Sequence, residues 1–167
     1  MEAAGQSAHG EADFVENFSP ASVLDAGCGT GRVAIELARR GIDVAGVDLD
    51  QPFIEQARAK APELDFHLDD LLTVDLARTF DAIVMPGNVM IFVSPGTEAQ
   101  VVANMVDHLN PGGHLIAGFQ LGRSLTVEAY NQMAADSGLT LSEHWSSWDR
   151  ETSTAQSNYA VLVHTNS

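Results

Sequence analysis

Beyond residue 20 the chain alternates between two hydrophobic rhythms. Short apolar runs at residues 23–26, 44–47, 64–68, 80–85 and 114–120 predict strands. The run at 80–85 is apolar on both faces after Asp81, as a central parallel strand should be. Between these runs, apolar side chains recur every three or four positions. Val33, Ala34, Leu37 and Ala38 predict a helix over 31–40, with Thr30 placed as its cap and Gly41 just past its end. A second helix is predicted from Asp50, with Pro52 in its first turn and Pro62 beyond its end. Thr97-Glu98-Ala99-Gln100 reads as a capping box, opening a helix that turns Val101, Val102, Met105, Val106 and Leu109 inward. Asn110-Pro111-Gly112-Gly113 reads as a tight turn. A further helix is predicted over 126–138.

The two ends of the chain break this alternation. Residues 140–148 and 158–164 predict two final strands, joined across the polar loop 149–157 as a hairpin. Tyr159, Val161 and Val163 fall on one face of the last strand and Ala160 and Leu162 on the other, which suits burial on both sides. Residues 1–10 are small and polar and are expected to fray. Residues 11–18 predict a short helix, ended by Ser19-Pro20, with Phe14, Val15 and Phe18 on one face. The expected layout is an N-terminal helix or cap segment over 1–20, partly disordered, and a single domain over 21–167.

Alternating strands and helices predict an α/β fold, a doubly wound and mostly parallel sheet with helices on both faces. Ligands of such folds bind outside the carboxyl ends of the strands. The first strand ends in Asp25 and then in Gly27-Cys28-Gly29-Thr30-Gly31. Glycines between a strand and a helix N-terminus let bare backbone approach a ligand, as nucleotide phosphates require. The second strand ends in Asp48-Leu49, the third in Asp69-Asp70-Leu71 and the fourth in Pro86-Gly87-Asn88. Acids at three successive strand ends favour a ligand with hydroxyls or positive charge.

Charge narrows the partners. The net charge is −15, with 23 acidic residues and eight Lys and Arg. Nucleic-acid binding rests on basic clusters, so DNA, RNA and anionic membrane surfaces are poor partners for this chain. No apolar run approaches the roughly 20 residues that span a bilayer. The lone cysteine, Cys28, forms no internal disulfide and fits a reducing, cytoplasmic setting. The six histidines show no metal-ligand spacing, and no metal is expected.

The segment Val23-Leu24-Asp25-Ala26-Gly27-Cys28-Gly29-Thr30-Gly31 resembles the first motif of the class I S-adenosylmethionine-dependent methyltransferases. Phe66-His67-Leu68-Asp69-Asp70-Leu71 is similar to the third-strand motif of that family, and Phe80-Asp81-Ala82-Ile83-Val84-Met85-Pro86-Gly87-Asn88 to the fourth. Leu109-Asn110-Pro111-Gly112-Gly113-His114-Leu115 is similar to the turn before its fifth strand. The resemblance covers residues 23–119. It implies a seven-stranded sheet in the order 3-2-1-4-5-7-6 with an antiparallel last strand. It also implies S-adenosylmethionine as cofactor and methyl transfer as the reaction. By the same resemblance Asp48 takes the ribose hydroxyls. Asp70, or Asp69 beside it, takes the adenine amino group, and the Leu71 amide a ring nitrogen. A carbonyl at Pro86 or Gly87 takes the methionine amino group. Asn88 is either a ligand contact or a turn residue.

The acceptor implied is a small molecule. The chain has neither the Asn/Asp-Pro-Pro-Tyr nor the Pro-Cys motif of nucleic-acid methyltransferases. Phe92, Trp145 and Trp148 are candidate walls of its pocket, the tryptophans equally well packing on the hairpin. Cys28 reads as a loop residue rather than a nucleophile. No catalytic base is assigned. Two other readings stand beside this one. The first is a protein that binds the cofactor without catalysis. The second is an NAD-dependent oxidoreductase, whose dinucleotide fingerprint needs a third glycine where Arg32 stands. Family members carry more helix before the first strand than the 22 residues here. The cofactor's cover is therefore expected from a partner in a homodimer, or the chain is a truncated or minimal form.

Overall fold

The computed structural model describes residues 8–167. Seven strands form one sheet: β1 (Ser22–Ala26), β2 (Asp43–Asp48), β3 (Asp65–Leu68), β4 (Phe80–Met85), β5 (Leu109–Gln120), β6 (Thr140–Trp145) and β7 (Tyr159–Thr165). Their order is β3-β2-β1-β4-β5-β7-β6. All neighbours are parallel except β7, which runs antiparallel to both β5 and β6. This is the order and the antiparallel insertion that the family resemblance implies.

Among the described residues six helices cover the sheet: α1 (Ala8–Glu16), α2 (Arg32–Arg39), α3 (Gln51–Lys60), α4 (Val89–Phe92), α5 (Glu98–Asp107) and α6 (Val127–Asp136). Two apolar cores result, one on each face. Phe14 and Val15 of α1, Leu37 of α2 and Ile54 of α3 meet Val23, Val84, Ile116 and Val161. On the other face Met90 of α4, Val102 and Met105 of α5 and Tyr130 of α6 meet Leu24, Ile83, Phe119 and Leu162. Successive strand residues thus feed opposite cores, so that Val23-Leu24, Ala82–Met85, Leu115–Ala117 and Ala160–Val163 are consecutive apolar positions covered on both faces. Val161 and Val163 lie on one side of β7 and Ala160 and Leu162 on the other, as the alternation predicts.

Several local features differ from the sequence pattern. The first helix begins at Ala8 rather than residue 11, so part of the segment expected to fray is helical, while the fraying expected of residues 1–7 falls outside the described residues. Thr30 does not cap α2. Gly31 holds the cap position at φ 89°, and the cap bond comes from the strand instead, where Asp25 Oδ2 accepts the Ala34 amide at 3.1 Å. At the other end Gly41 sits at φ 87°, its amide bonded to the Ala38 carbonyl and the Ile42 amide to the Leu37 carbonyl, a Schellman ending. The capping box at Thr97 does not form. Thr97 has helical rather than extended backbone, and its hydroxyl donates to the Ser94 carbonyl. Asp50 and Thr126 do cap their helices, accepting the amides of Phe53 and Ala129.

The turn at Asn110 is a bulge inside a longer β5, not a turn before it. Leu109 pairs with Phe80 and His114 with Ala82, so the intervening residues loop out. Asn110 pins the loop by donating to Asp81 Oδ1 at 2.9 Å. The strand expected over 140–148 ends at Trp145. Trp148 turns inward, packs edge-on against Phe14 with ring centroids 5.4 Å apart, and ends 2% exposed.

Candidate functional site

The carboxyl ends of β1, β2, β3 and β4 open onto a cavity of about 660 Å³, lined by residues from all four loops. This is where an open α/β sheet reverses its winding, between β1 and β4. Asp25, Gly27, Cys28, Gly29 and Thr30 form one wall, Asp48 and Leu49 the next, Asp69, Asp70 and Leu71 the third, and Pro86 and Gly87 the fourth. Of the strand-end residues singled out in the sequence, Gly31 and Asn88 stand outside the lining. Gly31 faces inward, where a Cβ would meet the Phe66 ring at 3.0 Å. Asn88 turns toward β5 and accepts the Gln120 amide at 2.6 Å.

The glycine loop is shaped by its neighbours. The amides of Gly27 and Cys28 both donate to the Val47 carbonyl, at 2.8 and 2.9 Å. Gly27 has φ 83°, and a Cβ there would lie 2.4 Å from a methyl of Val89, so no larger residue fits. Gly29 is the opposite case, with nothing within 4 Å of a notional Cβ. Its amide donates to Asp48 Oδ2 at 2.8 Å, and the Asp50 amide to Oδ1 at 2.9 Å. Asp48 therefore clamps the loop while each of its oxygens keeps a lone pair for a ligand.

Asp25 is fully buried, and its Oδ1 has no partner among the described residues. Burial pushes its carboxyl up to about 7, against the lowering by the Ala34 amide and by Arg32, with Asp48 pushing further up. An unpaired carboxylate here is costly unless a cationic or donor group completes it. Burial also pushes the Cys28 thiol up, with Asp25 and Asp48 adding to it, so Cys28 is no thiolate nucleophile. At the β3 end, Asp69 Oδ1 accepts the Asp70 amide and Asp70 Oδ1 the Leu72 amide. The Leu71 amide donates to no acceptor among the described residues.

The sequence marked no site role for several other wall residues. Arg32 is the cationic residue in the lining; Phe53, Val89, Ser94, Thr97 and Val101 are among the rest. Phe53 sits one turn into α3, and Val89 and Phe92 belong to the four-residue α4, too short to show a period. Phe92 does line the cavity and is 69% exposed, whereas Trp148 is core and neither tryptophan reaches the cavity. His144, beside them, is exposed on β6. No cluster able to hold a metal occurs among the described residues, and none of their helices is long and apolar enough to cross a membrane.

Residues 23–113 match the methyltransferase domain family. The chain belongs to the class I S-adenosylmethionine-dependent methyltransferases. It is similar to a solved TehB-like SAM-dependent methyltransferase from Corynebacterium glutamicum, at 35% identity and a TM-score of 0.90 over 95% of this chain and 88% of that one. It is also similar to the dTDP-3-amino-3,4,6-trideoxy-alpha-D-glucopyranose N,N-dimethyltransferase of Streptomyces venezuelae, 31% identical over 63% of this chain and 46% of the relative. A third relative is the magnesium-protoporphyrin O-methyltransferase of Rhodobacter capsulatus, 34% identical over 48% of this chain and 38% of the relative. The chain thus spans less than half the length of these two enzymes.

Proposed function

We propose that this chain binds S-adenosylmethionine in the cavity and transfers its methyl group to a small molecule. The observation that carries the reading is the cavity itself, with a glycine loop and carboxylates from three successive strands converging on about 660 Å³. Family membership supports the same chemistry. The residues fit the cofactor. The buried Oδ1 of Asp25 lacks the donor that the methionine ammonium provides. In this reading Asp48 takes the ribose hydroxyls, Asp70 or Asp69 the adenine amino group, and the Leu71 amide a ring nitrogen. Gly29 leaves room for close approach. Pro86 and Gly87 complete the methionine end.

The bound cofactor supplies a methyl group activated on a sulfonium. The chain's own task is placement and the exclusion of water. A base is needed only where the acceptor arrives protonated, and none is assigned. The acceptor is an uncharged or cationic small molecule rather than a nucleic acid, in keeping with eight basic residues against 23 acids. The test is a methyl-release screen over small-molecule pools, with a nucleic-acid retardation assay beside it. Turnover with a small molecule supports the reading; retardation that weakens steeply with salt contradicts it.

Asp25 makes cofactor binding depend on pH. Burial raises its carboxyl to about 7. A cationic ligand favours the ionised form, so binding releases a proton below that value and none well above it. Affinity should therefore rise as pH increases from about 6 to 8 and then level off. Calorimetry in buffers of different ionisation enthalpy reads the proton directly, and Asp25→Asn should abolish this rise. The same group makes the cofactor-free protein lose stability as pH rises from about 3.8 to about 7, the loss levelling off above that, because its folded value lies above the ordinary one.

A further inference from the structure

The loop after β4 reaches the cavity only if something holds it there once the strand has ended. β4 and β5 pair in register to Met85 opposite Ala117. Three residues further on, Asn88 would face Gln120, but the backbone of Asn88 has already turned away at φ 65° and ψ 25° to open α4. The side chain takes over the missing rung, with Asn88 Oδ1 accepting the Gln120 amide at 2.6 Å. Two left-handed residues in succession, Gly87 at φ 63° and Asn88, make the reversal. Asparagine is the side-chain-bearing residue that best tolerates that conformation.

The reversal bears on the cavity at three points. It presents Pro86 and Gly87 to the methionine end. It seats Val89 against Gly27, the contact that leaves no space for a Cβ there. It places Phe92 at the mouth, 69% exposed. Asn88 itself is not part of the lining. Resting on the cofactor reading above, we propose that Asn88 is a positioning residue, a side-chain clasp from the β4 loop to the end of β5 that holds Pro86, Gly87 and α4 in register with the glycine loop.

Three variants separate the clasp from the backbone it shapes. Asn88→Gly keeps the left-handed conformation and removes the clasp. Asn88→Ala removes both. Asn88→Asp keeps an acceptor for the Gln120 amide. The probes are S-adenosylhomocysteine affinity by calorimetry, hydrogen exchange at the Gln120 amide, and melting temperature. In the glycine and alanine variants Gln120 exchange should quicken and affinity fall about five- to tenfold, the worth of one hydrogen bond. The aspartate variant should restore both. Should the alanine variant fail to fold, the glycine variant carries the test. Wild-type affinity in the glycine variant, or loss in the aspartate variant equal to that in glycine, overturns the proposal. If the wild-type protein binds no S-adenosylhomocysteine, the cofactor reading falls, while Gln120 exchange still decides the clasp.

Discussion

Gly118→Ala should destabilise the fold by about 2–3 kcal/mol through overpacking. Gly118 lies in β5 opposite Val161, on the face that receives Trp148. A Cβ there would stand 2.5 Å from Trp148 Cζ2 and 2.6 Å from the Tyr159 hydroxyl. Neither neighbour can yield cheaply. The indole is 2% exposed and wedged against Phe14, and its Nε1 donates to that same hydroxyl at 3.3 Å. For a chain of this size the loss corresponds to a fall in melting temperature of about 5–10 °C. Trimming the partner, as Trp148→Phe in the same chain, should make the alanine cost less than it does alone. An unchanged melting temperature for Gly118→Ala would show that the ring has room to move.

The second large effect is on binding. Asp48→Ala should weaken S-adenosylmethionine by about 2–4 kcal/mol, two charge-assisted hydrogen bonds to the ribose, with the fold kept. The structure adds a reason for the upper end of that range. Asp48 also holds the amides of Gly29 and Asp50, so its loss loosens the glycine loop as well as removing the ribose partner. The two contributions separate with a ligand lacking ribose. Methionine alone should lose affinity only through the loop, and far less than the full cofactor. Unchanged cofactor affinity, or global unfolding, would remove Asp48 from this role.

The parts of the fold legible in the sequence were those set by burial on both faces. β1, β4 and β7 declared themselves as apolar runs, and the β4 boundaries matched residue for residue. Acids and glycines at four strand ends pointed to the cavity because the winding of the sheet brings strand ends together. What escaped was decided by tertiary contact. The residue that caps α2 stands on a strand, nine positions before the amide it binds. Nothing local distinguishes Trp148 as core from Trp148 as a strand residue; the gap beside Gly118 decides it. α4 spans a single turn and shows no period. Asn88, read as either ligand contact or turn residue, lies outside the cavity lining and accepts the Gln120 amide, a contact 32 residues away that no local pattern announces.

A cavity built for S-adenosylmethionine should discriminate against a dinucleotide. Calorimetry with S-adenosylmethionine, S-adenosylhomocysteine and NAD in parallel, on the purified chain at pH 8, decides between them. S-adenosylmethionine and its demethylated product should bind saturably and NAD not at all. Binding of NAD without S-adenosylmethionine would contradict this.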